Sequence, residues 1–189
     1  MEFPIIIYLD ENLNKKIRAI QERLLEITGS RACLDTENPH ITVGSGIKVD
    51  EKNLELVCGE IKSVAKKFKP FKIKIKNYKF IDDWVGGKTS SYTPYVIYLD
   101  IVVNRNLQKL AEELMKKVTN KYERYYDQPW PYNPHLTVAF KDLDKRGFLK
   151  AKKILENEKF EAETIIDHVA ISIERESGKW EEYKRFKFN

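Results

Sequence analysis

Two of the chain's 3 histidines stand in one repeated phrase: Pro39-His40-Ile41-Thr42-Val43, and again Pro134-His135-Leu136-Thr137-Val138. An imidazole titrates near pH 6.5, so it can take or give a proton around neutrality. A threonine hydroxyl two residues on can donate to a phosphate oxygen and favour the charge that develops there. Two histidines and two threonines are the parts that displacement at a phosphodiester requires: a base for the attacking oxygen, an acid for the departing one, and two donors for the phosphoryl group. Nothing in that scheme calls for a metal or a nucleotide cofactor, and none is expected.

Side chains alternate faces along a strand. Each phrase, read as a strand, therefore puts its histidine and threonine on one face and its apolar residues (Ile41 and Val43, Leu136 and Val138) on the other. The apolar face packs on helices and the polar face stays open. The next residue on the polar face is small in both copies, Gly44 and Ala139, which leaves room for a ligand. If a pseudo-twofold axis relates the two strands, the four polar side chains converge. His168 has no threonine two places on and reads as structural or exposed.

The repetition extends past the phrases. Ile5-Ile6-Ile7-Tyr8-Leu9-Asp10 is matched by Tyr95-Val96-Ile97-Tyr98-Leu99-Asp100, with Ile-Tyr-Leu-Asp shared letter for letter. Each copy leads into a helical pattern, about Leu13–Ile27 and Leu107–Tyr122, with apolar residues at helical spacing. Each helix gives way to a histidine phrase and then to another helix, about Asn53–Phe68 and Phe148–Asn157. Phe71 to Lys76 alternates strictly, as a half-buried strand does; its counterpart spans Ala162 to Ile173, and a last strand runs from about Trp180 to Phe188. The same elements in the same order indicate a duplicated β-α-β-α-β unit. Residues 1–82 form the first repeat and 93–189 the second. Residues 83–92, with Gly86-Gly87 and Ser90-Ser91, form a linker or a loop over the site.

Around the four central residues lie candidates for holding substrate. Tyr8 and Tyr98 occupy matching places in the repeated phrase and can bond phosphate or stack on a base. Trp130 and Tyr132 lead directly into the second histidine strand and suit a nucleoside base. Lys48, Lys88, Lys141 and Arg175 can each supply phosphate charge, and the sequence does not choose among them.

Composition narrows the class. At 42% hydrophobic and 12% aromatic residues the chain can pack a sizeable core, which excludes wholesale disorder. No apolar run reaches the roughly 20 residues that cross a bilayer, and the N-terminus reads as a first strand and not a signal peptide. Cys33 and Cys58 have no metal or redox spacing and read as reduced thiols of a cytoplasmic protein. The net charge of +5 favours an anionic partner without selecting one. No P-loop, dinucleotide fingerprint or nucleotidyltransferase lysine motif is present, which disfavours an ATP-driven ligase.

The paired histidine phrases, one in each half and unsubstituted at the four key positions, resemble the two-histidine (2H) phosphoesterases, in particular the 2′-5′ RNA ligase and RNA 2′,3′-cyclic phosphodiesterase family. The ending, an apolar strand Val169 to Ile173 followed by Gly178-Lys179-Trp180, is similar to that family's final hairpin. The resemblance implies a bilobal α+β fold with antiparallel sheets lining a central cleft and helices outside. It also implies a metal-independent phosphodiesterase in which His40, His135, Thr42 and Thr137 are catalytic; a monomer is expected. The substrate would be a 2′,3′-cyclic phosphate or 2′-5′ linkage at an RNA end, with ligation as the reverse reaction. Three rivals stand beside this: the same chemistry on a small nucleotide, such as an ADP-ribose cyclic phosphate or a 2′-5′ oligoadenylate; a non-catalytic RNA-binding protein; and a scaffold or partner-binding protein with no nucleic-acid role, for which the sequence offers only exposed charge.

Overall fold

The computed structural model describes residues 1–36, 38–84, 92–126 and 131–189. Two antiparallel sheets carry the fold. In chain order the elements are β1 (Glu2–Tyr8), α1 (Glu11–Thr28), α2 (Ala32–Thr36), β2 (His40–Lys48), α3 (Leu54–Ala65), β3 (Phe71–Ile81), β4 (Val96–Ile101), α4 (Arg105–Lys117), β5 (Glu123–Tyr126), β6 (His135–Ala139), α5 (Lys145–Leu155), β7 (Glu161–Ile166), β8 (His168–Glu174) and β9 (Trp180–Lys187). The first sheet has the order β5-β2-β1-β8-β9 and the second β6-β4-β3-β7. The α+β class with two antiparallel sheets is as the sequence leads one to expect.

Local chemistry sets the helix limits. Asp10 caps α1, accepting from the Leu13 N–H at 2.9 Å, and Gly29 ends it in the left-handed region with φ +80°. Asn104 caps α4 and Asp144 caps α5 in the same manner. The short helix α2 is held from the other half of the chain: Asp142 accepts from the Ser30 hydroxyl at 2.6 Å and from the Arg31 N–H at 2.7 Å. Helices α1 and α5 meet at Gly147, where a Cβ would stand 3.0 Å from the Thr28 carbonyl oxygen, so a larger residue would push the helices apart by a few tenths of an ångström. The main core cluster reaches from Phe3 and Ile5 through Ile61, Leu99 and Leu114 to Phe186, and a second, small cluster joins Ile6, Tyr8 and Ala170.

The two repeats are not two separate lobes. The first repeat ends in β3, which lies in the second sheet between β4 and β7; the second repeat reaches β8, which lies in the first sheet beside β1. The second sheet thus takes one strand, β3, from the first half of the chain, and the first sheet takes three, β5, β8 and β9, from the second half. The stretch Ala162 to Ile173, read above as one strand, is two: the chain leaves one sheet at Ile166, turns at Asp167 and enters the other at His168. The 83–92 connection joins β3 to β4, neighbours in a single sheet, so it links strands and not lobes. The Trp84 N–H donates to the Pro94 carbonyl at 3.0 Å across its base. Residues 85–91, and Lys88 with them, lie outside the described residues.

His168 is buried beside that crossing. Its Nδ1 donates to the Asp167 carboxylate at 2.6 Å, and its Nε2 has no hydrogen-bond partner among the described residues. Burial holds its pKa below the ordinary value, against the pull of Asp167. No helix among the described residues is long and apolar enough to cross a membrane.

Two outcomes are expected. Since neither half owns a complete sheet, residues 1–82 and 93–189 expressed separately should each lack a cooperative melt by circular dichroism, while the whole chain melts in one transition. Two resolved transitions would contradict the exchange of strands. The second outcome concerns pH: the unfolded chain protonates its histidines near pH 6.5, before folded His168 does. Stability should therefore fall as pH drops through that value, and His168→Gln should flatten the fall in denaturant titrations.

Candidate active site

The site is built at the first residues of two strands, β2 and β6, one from each sheet. Along β2 the side chains of Ile41 and Val43 are buried in the core while His40 and Thr42 are half-exposed; along β6 Leu136 and Val138 are buried and His135 and Thr137 half-exposed. The period-two alternation puts each histidine with its threonine on the face away from the core. Strands β2 and β6 lie against one another. The Tyr132 hydroxyl spans them, donating to the Thr42 carbonyl at 2.9 Å.

Each imidazole is fixed in the same way. His40 Nδ1 lies 2.9 Å from the Asn38 carbonyl oxygen, and His135 Nδ1 lies 2.9 Å from that of Asn133. A carbonyl only accepts, so Nδ1 carries the hydrogen and Nε2 is the nitrogen that exchanges a proton. The intervening proline has no N–H and biases the asparagine before it toward extended backbone, which aims that carbonyl back at the ring. The signal was in the sequence: the repeated phrase begins one residue earlier, at Asn38-Pro39-His40 and Asn133-Pro134-His135. Arg18 supports the first copy, with its guanidinium donating to the Cys33 carbonyl at 2.9 Å and to Asn38 Oδ1 at 3.1 Å. An arginine on a helix carries no mark in the sequence of such a role.

The two rings are close enough to feel each other's charge. Burial pushes the His135 pKa down, the Asn133 carbonyl pulls it up, His40 pushes it further down, and Asp100 pulls it up. The ring edge of Tyr98 meets His135 at 5.3 Å between centroids. The Tyr98 phenol is raised above its ordinary pKa, first by burial and then by Asp100, and its oxygen is hydrogen-bonded by the Asn133 side chain.

Three expectations are corrected by strand register. Both histidine strands contain a β-bulge at the same place. Ile5 stands opposite Gly44 and Ile6 opposite Thr42; Ile97 stands opposite Ala139 and Tyr98 opposite Thr137. The extra residues are Val43 and Val138. Each bulge turns the following residue back to the core, so Gly44 and Ala139 do not open the ligand face. A Cβ on Gly44 would meet Ile5 Cβ at 3.1 Å and Thr119 Cγ2 at 3.3 Å, both inside the fold. Tyr8 and Tyr98 are not equivalent either: Tyr8 lies opposite His40, whereas the residue opposite His135 is Asp100. The shared Ile-Tyr-Leu-Asp letters are two residues out of structural register.

The remaining candidates divide. Tyr8 is on the histidine face of its sheet, buried, with its hydroxyl 3.1 Å from Ser172 Oγ. Tyr132 belongs to the core cluster, and its hydroxyl is committed to β2; a buried ring bound to backbone is a brace and offers no stacking surface. Trp130 lies outside the described residues. Lys48 is paired with Glu2 and Glu123, and Arg175 with Glu181. Lys141, with φ +62°, places its ammonium 4.9 Å from the Phe140 ring centroid. Cys33 and Cys58 are buried free thiols. Among the described residues no group of three or more His, Cys, Asp or Glu is placed to hold a metal.

Comparison with known proteins gives one consistent grouping. A protein of Oceanobacillus iheyensis provisionally named as a phosphoesterase is 26% identical over 152 residues, 78% of each chain. One of Halalkalibacterium halodurans, named likewise, is 25% identical over 154 residues, 79% of this chain and 78% of the other. Among solved structures, TT0787 of Thermus thermophilus superposes with TM-score 0.68 at 16% identity, covering 99% of this chain and 97% of its own. Escherichia coli LigT in complex with 3′-AMP superposes with TM-score 0.65 at 13% identity, covering 100% and 98%. These likenesses show a shared fold. The family model of the 2′-5′ RNA ligase superfamily matches residues 35–178, a span that holds both histidine phrases and both threonines, and the chain therefore belongs to that superfamily.

Proposed function

We propose that this protein is a phosphodiesterase that opens 2′,3′-cyclic phosphates, or cleaves 2′-5′ linkages, at RNA ends by two-histidine acid–base catalysis. The observation that carries the reading is the matched tautomer of the two rings. Each Nδ1 is tied to the carbonyl two residues back, so each Nε2 can exchange a proton, and each ring shares its face with a threonine hydroxyl.

The steps follow from those groups. One ring enters neutral and takes a proton from water at Nε2 as the water oxygen bonds to phosphorus. The other enters protonated and gives its Nε2 proton to the ribose oxygen as the P–O bond breaks. Thr42 and Thr137 donate to the non-bridging oxygens, which hold the phosphorus in line and favour the charge on it. The product is a phosphomonoester and a free hydroxyl, and the two rings have exchanged protonation states. A ribose 5′-hydroxyl in place of water would join two ends through the same transfers, making a 2′-5′ bond when the 3′ oxygen departs.

Support for a nucleotide substrate comes from the neighbouring fold, since Escherichia coli LigT has been crystallised with 3′-AMP and with ATP. Those ligands are single nucleotides, which favours the small-nucleotide alternative as the second reading. A length series separates the two: an enzyme of RNA ends should gain in kcat/KM from added nucleotides, and a small-nucleotide enzyme should not.

The test is conversion of a 2′,3′-cyclic-phosphate-ended oligonucleotide in EDTA. His40→Ala and His135→Ala should each lower kcat by about 10²- to 10⁴-fold, and Thr42→Ala or Thr137→Ala by about a hundredfold, while His168→Ala retains turnover. The kcat/KM profile should be bell-shaped in pH. Full activity in either His40→Ala or His135→Ala would end the reading.

A further inference from the structure

We propose that Asp100 is a positioning residue that acts through His135, its carboxylate facing the ring across the β4–β6 pair and holding the imidazolium that forms there. The inference rests on the two-histidine reading above and adds to it a group that the four-residue motif does not contain.

The geometry departs from the pseudo-twofold at the residue opposite each histidine. The residue opposite His40 is Tyr8, and the residue opposite His135 is Asp100. Directly opposed side chains of an antiparallel pair share a face, with Cβ atoms about 4.5–5.5 Å apart. In the first repeat the corresponding letter, Asp10, caps helix α1 and binds the Thr164 hydroxyl at 2.7 Å. In the second repeat the register puts Asp100 inside the strand, and Asn104 takes over the capping of α4. Asp100 is thus released from the helix and turned toward the histidine.

Nothing else occupies it. Among the described residues its side chain makes no hydrogen bond and no ion pair, although Lys76 of β3 stands opposite it on the other side. The neighbouring acids of the same sheet are paired: Glu161 with Lys74 at 2.9 Å and Glu163 with Lys72 at 3.0 Å. A half-buried carboxylate without a partner, one strand from the hydroxyl meant to hold a phosphate, disfavours an anionic ligand. Its placement becomes favourable toward the site when the ring it faces carries positive charge during the reaction.

His135 needs that help. Burial and the charge of His40 on β2 both oppose a proton on it, while the Asn133 carbonyl supports the ring through Nδ1 and Asp100 is the carboxylate that pulls the other way. From β4 the ring also meets Tyr98, whose raised phenol stays neutral. Beyond Asp100 on β3 is Lys76, with Glu161 of β7 opposite it. The helices that touch β6 are α1 and α2, carrying Arg18, bound to Asn38, and Asp35, paired with Arg31.

Asp100→Asn keeps the shape and removes the charge. By nuclear magnetic resonance titration of the free protein, His135 should titrate at lower pH in Asp100→Asn than in the wild type. With a 2′,3′-cyclic nucleotide, one limb of the pH–rate profile should move to lower pH and the other remain; kcat should drop about tenfold, with KM unchanged or lower because a charge that repels phosphate is gone. An unchanged His135 titration would overturn the proposal, and so would a raised KM with kcat intact, which would make Asp100 a substrate contact. The titration needs no substrate, so it decides the role of Asp100 even if the wild type fails to turn over cyclic phosphates and the functional reading falls.

Discussion

Burial of Ile41, Val43, Leu136 and Val138 is the constraint on which the site depends. These side chains are fully or almost fully removed from water in a common core, and fully burying each contributes about 1.5–3 kcal/mol. With those residues fixed inward, the two-residue period of a strand leaves His40, Thr42, His135 and Thr137 no face but the outer one. The reactive groups are positioned first by what lies beneath them, and the carbonyls of Asn38 and Asn133, the Arg18 guanidinium and the Tyr132 hydroxyl refine that placement. A slip of either strand by one residue would bury a histidine and expose a valine, so the register is held by the core at large cost to any alternative.

The same logic explains what could be read from the letters. Alternation reports which face a residue takes, and helical spacing reports which stripe is apolar; both depend on a few neighbouring residues, and both identified the two histidine strands and four of the five helices. Neither reports which strands are neighbours. The exchange of β3 and β8 between sheets is decided by how two faces pack, far apart in sequence, and the apolar residues on both sides of Asp167-His168, Ile165-Ile166 and Val169 to Ile173, hide the turn between them. Helix α2 and strand β5, at 5 and 4 residues, are too short to show a period.

Single-residue irregularities mattered most for the site. A bulge leaves no mark in the alternation of a five-residue phrase, so Gly44 and Ala139 read as open when they are packed inside. The identical Ile-Tyr-Leu-Asp letters suggested that Tyr8 and Tyr98 are equals. The register instead aligns Ile6 with Tyr98 and Tyr8 with Asp100, an offset of 92 residues between strands whose histidines are 95 apart. Sequence identity within a repeat and structural equivalence are different relations. The gap between them is where one half of a symmetric site acquires a charge that the other lacks.

The crossed strands also bear on how such a chain could arise. Consider one repeat by itself. Its histidine strand and first strand make half a sheet, and its last strand leaves for a sheet that the same copy cannot supply. Two separate copies would complete each other by trading strands, β3 for β8, as a domain-swapped homodimer does. The present chain holds that exchange within one molecule, with β5, β7 and β9 as additions of its second half. Because both halves lie in one chain, each can differ from the other, and a carboxylate can stand beside one histidine without being imposed on its twin.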